Sequence, residues 1–258
     1  MRRFKWPHMF VRALIAILIC LPLFANADTV EDLRSGVLSS CIGCDLRGAD
    51  FKKADLSGVN LTGADLTDAT FHRAKLRDAI LTNVIAIGAN FNLADLTKAQ
   101  MANGDFTGAL FYGAQMSAAD LSAAHLTDAR MQTARLTSAK LPGAVLDRAV
   151  MLDAVANAAD FSNSSMHRTN LSGARLGRSL FDNATISFAG FVEANAGRSS
   201  FAEATISHTD FYGADLRRAN VDGATLTGNR FTTAATVGVD FDAATMRGNF
   251  MTDGRRQE

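Results

Sequence analysis

The sequence contains little proline, tryptophan or cysteine. Only 3 prolines, 1 tryptophan and 3 cysteines occur among 258 residues, so no proline-rich linker divides the chain and no dense disulfide framework holds it together. Beyond the first 27 residues no apolar run is long enough to cross a bilayer, and the sequence therefore predicts no membrane-spanning helix. These absences favour a single domain after the N-terminal segment.

The chain also lacks an excess of charge of either sign. It has 26 basic and 26 acidic side chains, and four of the basic ones lie within residues 1–27. The rest of the chain therefore has 22 basic and 26 acidic side chains, a net charge of −4. So small a net charge gives no reason to expect nucleic acid as a partner.

The N-terminal segment is typical of an export signal. Basic residues at positions 2, 3 and 5 precede a largely apolar stretch from Val11 to Phe24. The small residues Ala25 and Ala27 then satisfy the requirement of signal peptidase at the two positions that it reads. We predict a signal peptide over residues 1–27, cleavage before Asp28, and a periplasmic or secreted mature protein.

The rest of the sequence repeats every five residues. From Leu46 to Met251 every fifth residue, which we name the centre, gives 42 positions. All are Leu, Phe, Met, Ile or Val except Ala86, Ala156, Ala196 and Thr236. Alanine stands two residues before the centre in 30 of the 42 repeats, and the register never shifts. A helix needs a period near 3.6 and a strand a period of 2, so neither explains this pattern.

The repeats carry a recognisable motif. Residues 49–53 read ADFKK, residues 54–58 read ADLSG and residues 64–68 read ADLTD. This pattern resembles the pentapeptide-repeat family, whose motif is A(D/N)LXX. The resemblance implies an all-β fold over residues 41–251, a right-handed quadrilateral β-helix in which four repeats form the four sides of each of about ten coils. The centre and alanine positions would then point inward, and the other three positions would face solvent.

A second periodicity supports a four-sided coil without reference to the family. If one coil takes 20 residues, large centre residues should stack at that spacing. One such column contains Phe51, Phe71, Phe91, Phe111, Phe191, Phe211 and Phe231. A second column, offset by ten residues and therefore on the opposite side, contains Phe161, Phe181, Phe201 and Phe241. Phe106 is the one centre phenylalanine outside both columns.

The ends of a solenoid need covering, because a terminal coil exposes apolar surface and unpaired backbone. At the N-terminal end, within a cap predicted over residues 28–40, we expect a short amphipathic helix over residues 29–38. Its apolar face would consist of Val30, Leu33, Val37 and Leu38. At the other end residues 252–258 form only a polar tail. Either this tail folds over the last coil, or the last coil joins a second copy in an end-to-end homodimer.

Cys41 and Cys44 are the two cysteines that remain after the predicted cleavage. A pair at this spacing is found in redox motifs, in zinc sites and in structural disulfides. Zinc needs two further ligands, and the next histidine, His72, lies more than a coil away. A redox pair needs a helix N-terminus, which a β-coil lacks. We therefore favour a disulfide in a buried cap, with both side chains directed into the core.

We expect no enzyme and no cofactor, because the sequence shows no nucleophile with a base, no phosphate-binding loop and no metal-ligand spacing. Residues 20 apart lie above one another, so each wall can instead be examined as a surface. One wall carries a basic strip, which we predict to bind an anionic partner such as a polysaccharide, a lipid headgroup or an acidic protein. The strip consists of Arg135, Arg175, Arg178, Arg198, Arg217 and Arg218.

A second wall, outside the longer phenylalanine column, concentrates apolar residues at solvent positions. Such a concentration is typical of a protein contact. The residues are Leu93, Leu110, Tyr112, Val150, Leu152, Val192 and Tyr212. The sequence thus predicts an exported, non-enzymatic scaffold or binding protein whose rigid walls meet a protein or an anionic envelope partner.

The family resemblance also implies an alternative function. The best-known members imitate DNA and protect topoisomerase in the cytoplasm, so this chain could regulate an enzyme as a polyanion mimic. That activity depends on a strongly acidic surface and on a C-terminal helical dimer module. The mild charge, the export signal and the short polar tail of this sequence disfavour it.

Overall fold

A computed structural model describes residues 27–257, and the predicted signal peptide lies almost entirely outside this range. The described range begins with a helix and continues as a coiled chain, with short parallel strands in its second half. The helix α1 spans Ala27–Arg34, and a 3₁₀ turn spans Phe241–Ala243. The strands are β1 (Ser165–His167), β2 (Thr185–Ser187), β3 (Thr205–Ser207), β4 (Thr225–Thr227) and β5 (Thr245–Arg247).

Successive coils pair in parallel, and each residue meets its equivalent twenty positions later. The ladder runs from the pair Ser40 and Asn60 to the pair Arg230 and Phe250, and β1–β5 are consecutive neighbours within it. Backbone hydrogen bonds connect the coils along the axis, as when the Leu61 N–H donates to the Ile80 carbonyl at 2.8 Å. The predicted twenty-residue coil is therefore confirmed.

We number the four sides by their centres. Side 1 carries Phe51 and every twentieth residue after it, and sides 2, 3 and 4 start in the same way at Leu56, Leu61 and Leu66. The centre residues and the alanines two positions before them are buried along most of the solenoid, and the other three positions are half-buried or exposed. The predicted division into inward and outward positions is correct.

The corners explain the polar part of the repeat. An Asp or Asn just before a centre accepts a hydrogen bond from the backbone N–H two residues later, as Asn60 does from Thr62 at 3.0 Å. The second residue after each centre adopts a left-handed conformation, for example Gly58 with φ 70°. Glycine reaches this conformation without strain, but most repeats have another residue there, such as Lys53 with φ 58°.

The core consists of stacked side chains, as the twenty-residue spacing predicts. On side 1 the rings of Phe51, Phe71, Phe91 and Phe111 follow one another at centroid distances of 5.1, 4.8 and 5.1 Å. On side 3 the rings of Phe161, Phe181 and Phe201 stack at 5.0 and 4.8 Å. The coils in these two stretches therefore bury aromatic surface against their neighbours, the coils between them stack Leu and Met centres, and stability is distributed as contacts between adjacent coils.

Phe106, the exception to the two columns, fits because its surroundings are small. Its ring contacts Phe91 and Phe111 edge-on, at centroid distances of 6.1 and 5.8 Å. Gly104 stands where most repeats have alanine, and a Cβ atom there would lie 2.5 Å from the Phe106 ring. The preceding centre on this side is Ala86. The extra volume of one phenylalanine is thus offset by a glycine and an alanine beside it.

The corner after side 4 changes in the second half of the solenoid. In earlier coils this corner is closed by a hydrogen bond between residues three apart, such as the Ala149 N–H and the Leu146 carbonyl at 2.9 Å. Within residues 27–257 that bond is missing after β1–β5. The wider turn leaves three residues extended on each coil, which is why strands appear there.

Buried asparagines bridge two of these open corners. The Asn229 side chain accepts from the Thr209 N–H at 2.9 Å and donates to the Ile206 carbonyl at 3.0 Å. Asn249 does the same one coil later, for the Asn229 N–H at 2.9 Å and the Leu226 carbonyl at 2.8 Å. Both side chains are fully buried, so each satisfies two backbone groups that water cannot reach.

The N-terminal helix is shorter than predicted. It spans Ala27–Arg34 rather than residues 29–38, because Gly36 adopts a left-handed conformation with φ 76° and ends it. Leu33 is buried against the first coil, as expected for a cap. Val37 is 73% exposed and Leu38 is also exposed, so the prediction that they belong to the buried helical face was wrong.

The C-terminal tail folds back over part of the last coil. Arg256 pairs antiparallel with Phe250, and the Gln257 N–H donates to the Asn249 carbonyl at 2.7 Å. Of the two possibilities left open by the sequence, the structure shows a folded tail. It leaves Met246 and Met251 only half-buried, and this end is where an end-to-end homodimer would form. None of the helices in the described part of the chain has the length and apolarity to span a membrane.

The fit around Phe106 predicts the effect of adding one methyl group. Gly104→Ala should lower the free energy of unfolding by about 1–3 kcal/mol, because the new Cβ overlaps the Phe106 ring. Adding Phe106→Leu should recover part of this loss. Denaturant titrations of Gly104→Ala, of Phe106→Leu and of the double variant measure the coupling, and Gly197→Ala is the control, since its Cβ meets no atom closer than 3.7 Å. Purely additive effects would contradict this packing.

The asparagine bridges predict a second effect. Asn229→Ala should lower the free energy of unfolding by about 1–3 kcal/mol, because the Thr209 N–H and the Ile206 carbonyl lose their buried partner. Asn220→Ala is the control, because this exposed amide accepts only one hydrogen bond, from the Asp222 N–H at 2.9 Å. Equal losses in the two variants, measured by denaturant titration, would show that the bridge is not the stabilising element.

Candidate functional site

Three arginines of the basic strip form a column along one edge of side 2. Arg178, Arg198 and Arg218 occupy the left-handed corner position of successive coils, with φ values of 63°, 61° and 60°. The N–H of each donates to a carbonyl of the next coil, at 3.1, 2.9 and 3.0 Å. Because the backbone is held in this way, the three Cα atoms are about 4.8 Å apart along the axis, the spacing of neighbouring strands.

None of these three arginines has an acidic partner in the described part of the chain, where no carboxylate lies within 4.0 Å of their guanidinium groups. All three side chains are exposed. Like charges stacked on consecutive strands repel one another, and here the register of the coils prevents them from moving apart. The column is therefore a surface on which positive charge is concentrated and is not neutralised by the part of the chain that the structure describes.

Arg217 behaves differently from the rest of the strip. Its Nε donates to Asp215 Oδ1 at 2.9 Å and its Nη2 lies 2.5 Å from Asp215 Oδ2, a bidentate pair. The hydrogen bond from Arg217 lowers the pKa of Asp215 below its ordinary value, so the carboxylate is charged at neutral pH. Arg217 thus lacks the free positive charge that the sequence prediction gave it.

The two remaining arginines of the strip lie on the opposite edge of side 2. Arg175 occupies the position before a centre and pairs with Asn195 on the next coil, which pairs with Asp215. Arg135 lies two coils before Arg175, and Val155 separates them. The structure therefore places Arg175 across side 2 from the arginine column and leaves Arg135 apart from it.

A groove runs between the two edges of side 2. It has a volume of ≈ 410 Å³ and is lined by Gly197, Arg198, Asp215, Arg217, Arg218 and Val237. Gly197, like Gly177 one coil earlier, stands directly after a centre, where most repeats have a side chain. A Cβ at Gly197 would meet only atoms at 3.7 Å or more, so the groove is open because side chains are missing.

The sequence pattern did not single out these two glycines. A left-handed corner favours glycine, but neither Gly177 nor Gly197 is at a corner. Glycine directly after a centre was the available signal. Two such glycines twenty residues apart remove side chains from neighbouring strands of one wall.

The predicted protein contact lies on side 1, where all seven residues face outward. Tyr112 is 54% exposed and Leu93 lies beside it, over Gly113. Tyr212 is farther along the wall and packs against Arg230, whose guanidinium lies 4.8 Å from the ring centroid. Leu110, Val150, Leu152 and Val192 are half-buried between the neighbouring coils. The wall therefore has separated apolar groups instead of one continuous patch.

The cysteines lie in the first coil, where Cys41 Sγ and Cys44 Sγ are bonded at 1.98 Å and the Cα atoms are 5.5 Å apart. Cys41 is buried, whereas Cys44 is half-buried, so only the first is fully directed into the core. Within residues 27–257 no group of three or more His, Cys, Asp or Glu side chains could hold a metal ion.

The repeats decide the family. The family described as Pentapeptide repeats matches the chain in 8 copies, which together extend over residues 44–151 and 159–248. The chain belongs to the pentapeptide-repeat family. Proteins of this family are right-handed quadrilateral β-helices, and they generally act as protein-binding scaffolds without enzymatic activity.

Solved structures are similar to the chain to different degrees. HetL, a pentapeptide repeat protein involved in heterocyst differentiation regulation in the cyanobacterium Nostoc sp. strain PCC 7120, shares 25% sequence identity at a TM-score of 0.72. The match covers 90% of this chain and 100% of HetL. No curated protein matches the chain significantly.

Two further structures superpose less well. A pentapeptide repeat protein of the Arabidopsis thaliana thylakoid lumen is 28% identical at a TM-score of 0.28, with 39% of this chain and 63% of that one covered. QnrB1, a plasmid-mediated fluoroquinolone resistance protein, is 18% identical at a TM-score of 0.39, and the match covers 75% of this chain and 89% of QnrB1.

Proposed function

We propose that this protein is an exported, non-catalytic scaffold that binds an anionic partner with side 2 of its solenoid. The observation that carries the proposal is the column of Arg178, Arg198 and Arg218, three stacked cations without a carboxylate partner in the described chain. A rigid wall that fixes several guanidinium groups at regular spacing binds anions with little loss of conformational freedom.

The shape of the solenoid supports a binding role rather than catalysis. Catalytic groups must converge on one reacting atom, but side chains on a flat wall project side by side. The four histidines of the described chain, His72, His125, His167 and His208, are distributed over different coils. The wall can therefore present charge and shape to a partner, but it does not assemble a nucleophile with a base.

Export is supported by the N-terminal sequence and by the cysteines. The basic, apolar and small-residue segments of residues 1–27 have the order that signal peptidase substrates share. A bond between Cys41 and Cys44 persists in the oxidising periplasm or outside the cell, but not in the cytosol. In that compartment the partners available to a basic wall are anionic envelope or extracellular components.

The alternative, a polyanion mimic that regulates an enzyme such as a topoisomerase, fits these walls less well. A mimic of DNA must present negative charge where its target expects phosphates. Side 2 presents the opposite charge. A protein partner on side 1 is compatible with anion binding on side 2, because different outward positions would be used.

The arginine column predicts a charge-specific loss of binding. The triple change Arg178→Ser, Arg198→Ser and Arg218→Ser should weaken binding to heparin and to phosphatidylglycerol vesicles by about tenfold or more, which is about 1.4 kcal/mol or more. Ser138 occupies the same corner position on side 2 with φ 57°, so the fold accepts serine there. Salt-gradient elution and vesicle sedimentation measure the effect.

A matched control removes the same charge elsewhere. Arg47→Ser, Arg148→Ser and Arg230→Ser also remove three positive charges, but these side chains lie off side 2 and already pair with Asp45, Asp128 and Asp210. This variant should keep more of the binding. If the two triple variants elute at the same salt concentration, only net charge matters and the column is not a site.

Export predicts the mass of the mature chain. Protein isolated from periplasmic extract or culture medium should begin at Asp28, as measured by intact-mass spectrometry. Replacing both Ala25 and Ala27 with bulky leucine should block cleavage and leave a longer, membrane-retained precursor. A cytosolic protein that retains Met1 or starts at Arg2 would contradict export.

A further inference from the structure

The floor of the side-2 groove consists of the residues directly after the centres on three successive coils, Gly197, Arg217 and Val237. Gly177 and Gly197 are consecutive in the column of residues directly after the centres, with Asn157 before them and Arg217 after them. The Arg217 side chain, paired with Asp215, lies in the middle of the groove, and Arg218 and Val237 line it farther toward the C-terminal end. Because the lining residues lie on three successive coils, the long direction of the groove is the axis of the solenoid. Before its N-terminal end the Asn157 side chain covers Gly177, where Asn157 Oδ1 would lie 3.2 Å from an added Cβ.

One edge of this floor provides positively charged hydrogen-bond donors. That edge is the column of Arg178, Arg198 and Arg218, of which Arg198 and Arg218 line the groove. On the other edge Asp215 lines the groove and is paired with Arg217, and Arg175 lies two coils earlier. The Asn157 side chain accepts from the Gly177 N–H at 3.1 Å through its oxygen, and in the described chain its amide nitrogen has no acceptor. Side 2 therefore combines the positive charges of the groove with a neutral donor two coils before Gly197, an arrangement that suits a long ligand with both anionic groups and hydroxyls.

The repetition of the charges favours a chain-like ligand over a single small anion. One sulfate or phosphate reaches only the nearest guanidinium groups, whereas the column repeats the same donor on three coils. A polymer that lies along the axis can place successive groups against successive coils. Extended pyranose units advance by a length close to the spacing of neighbouring coils, so an acidic glycan matches this repetition.

The groove lacks the features that other classes of polyanion need for binding. An acidic peptide would gain main-chain hydrogen bonds at a sheet edge, but on side 2 the backbone N–H groups already donate to neighbouring coils, as from Arg198 to the Arg217 carbonyl. A single-stranded nucleic acid needs aromatic rings for stacking, and none lines the groove. A lipid surface favours apolar side chains beside the charges, and Val237 is the only large apolar residue that lines the groove.

We infer that the groove on side 2 binds one chain of an acidic polysaccharide lengthwise, with its anionic groups on the arginine column and its sugar rings over the floor at Gly197. This inference rests on the proposed anion-binding function and specifies its ligand and its mode. The glycine in this floor lets the sugar rings approach the backbone, and the guanidinium groups hold carboxylates or sulfates along one edge.

Filling the floor without changing the charge tests this mode. Gly197→Leu should fit the fold, because a Cβ there meets nothing closer than 3.7 Å and Leu152 occupies the equivalent position on side 1. The variant should bind oligogalacturonate and heparin oligosaccharides at least tenfold more weakly than the unchanged protein, as measured by titration calorimetry. Its retention on a sulfonate cation exchanger should be unchanged, since every arginine remains.

Two controls accompany this variant. Ala102→Leu introduces the same side chain at the equivalent position on side 3 and should leave oligosaccharide binding unchanged. Gly197→Asn introduces a smaller side chain, like Asn157 in the same column, and should give an intermediate loss. Equal thermal unfolding midpoints of the variants and the unchanged protein show that the fold is retained.

The outcomes separate the mode of binding from the function on which it rests. If the triple arginine variant loses binding but Gly197→Leu does not, the anion-binding function holds and the groove mode is overturned. If neither variant loses binding, the function itself falls. Tighter binding of polyphosphate or phosphatidylglycerol vesicles than of the acidic oligosaccharides, with the same loss in Gly197→Leu, overturns the polysaccharide as ligand. If neutral dextran binds with the same affinity as the acidic oligosaccharides, the acidic polysaccharide is also overturned as the ligand.

Discussion

The hydrogen bonds between successive coils determine where every other group of this protein lies. A backbone N–H on one coil donates to a carbonyl on the next, and the pairing holds each residue against its equivalent twenty positions later. A residue cannot shift along its coil without breaking bonds on both neighbours. The sequence is therefore converted into columns, and both the core and the surface follow from what each column contains.

Inside the solenoid this constraint requires that a large side chain at one position be balanced by small side chains at neighbouring positions. A straight coil has a nearly constant cross-section, so a large residue in one column needs a small one nearby. Phe106 shows this directly, since Gly104 and Ala86 free the space that its ring occupies. The same constraint explains Asn229 and Asn249, because an open corner leaves backbone groups at a fixed height that only a side chain of the next coil can reach.

The columns are what the sequence could predict, because they depend only on counting. The five-residue repeat, the twenty-residue coil, the stacked phenylalanines and the stacked arginines all follow from position. Contacts between side chains of the same coil do not follow from position alone. Arg217 was predicted to be a free cation, but its pairing with Asp215 depends on two side-chain conformations at neighbouring outward positions. The end of α1 depends in the same way on the local conformation of Gly36.

The open groove was missed for a related reason. A glycine in this fold has two physical explanations, the left-handed corner and the removal of a side chain, and the letter in the sequence is the same. Only the position within the repeat separates them. Gly177 and Gly197 lie at a position where the backbone does not require glycine, so their effect is on the outer surface and not on the turn.

The treatment of charge elsewhere in the solenoid makes the arginine column informative. Several cations on the outer walls pair with a carboxylate one coil before, as Lys75 does with Asp55 and Arg148 with Asp128. The twenty-residue register brings such opposite charges together without any further ordering of the backbone. In Arg178, Arg198 and Arg218 the same register brings like charges together, and no described carboxylate lies within reach. Because the fold gains nothing from this repulsion, the column is better explained by a partner that supplies the missing negative charge.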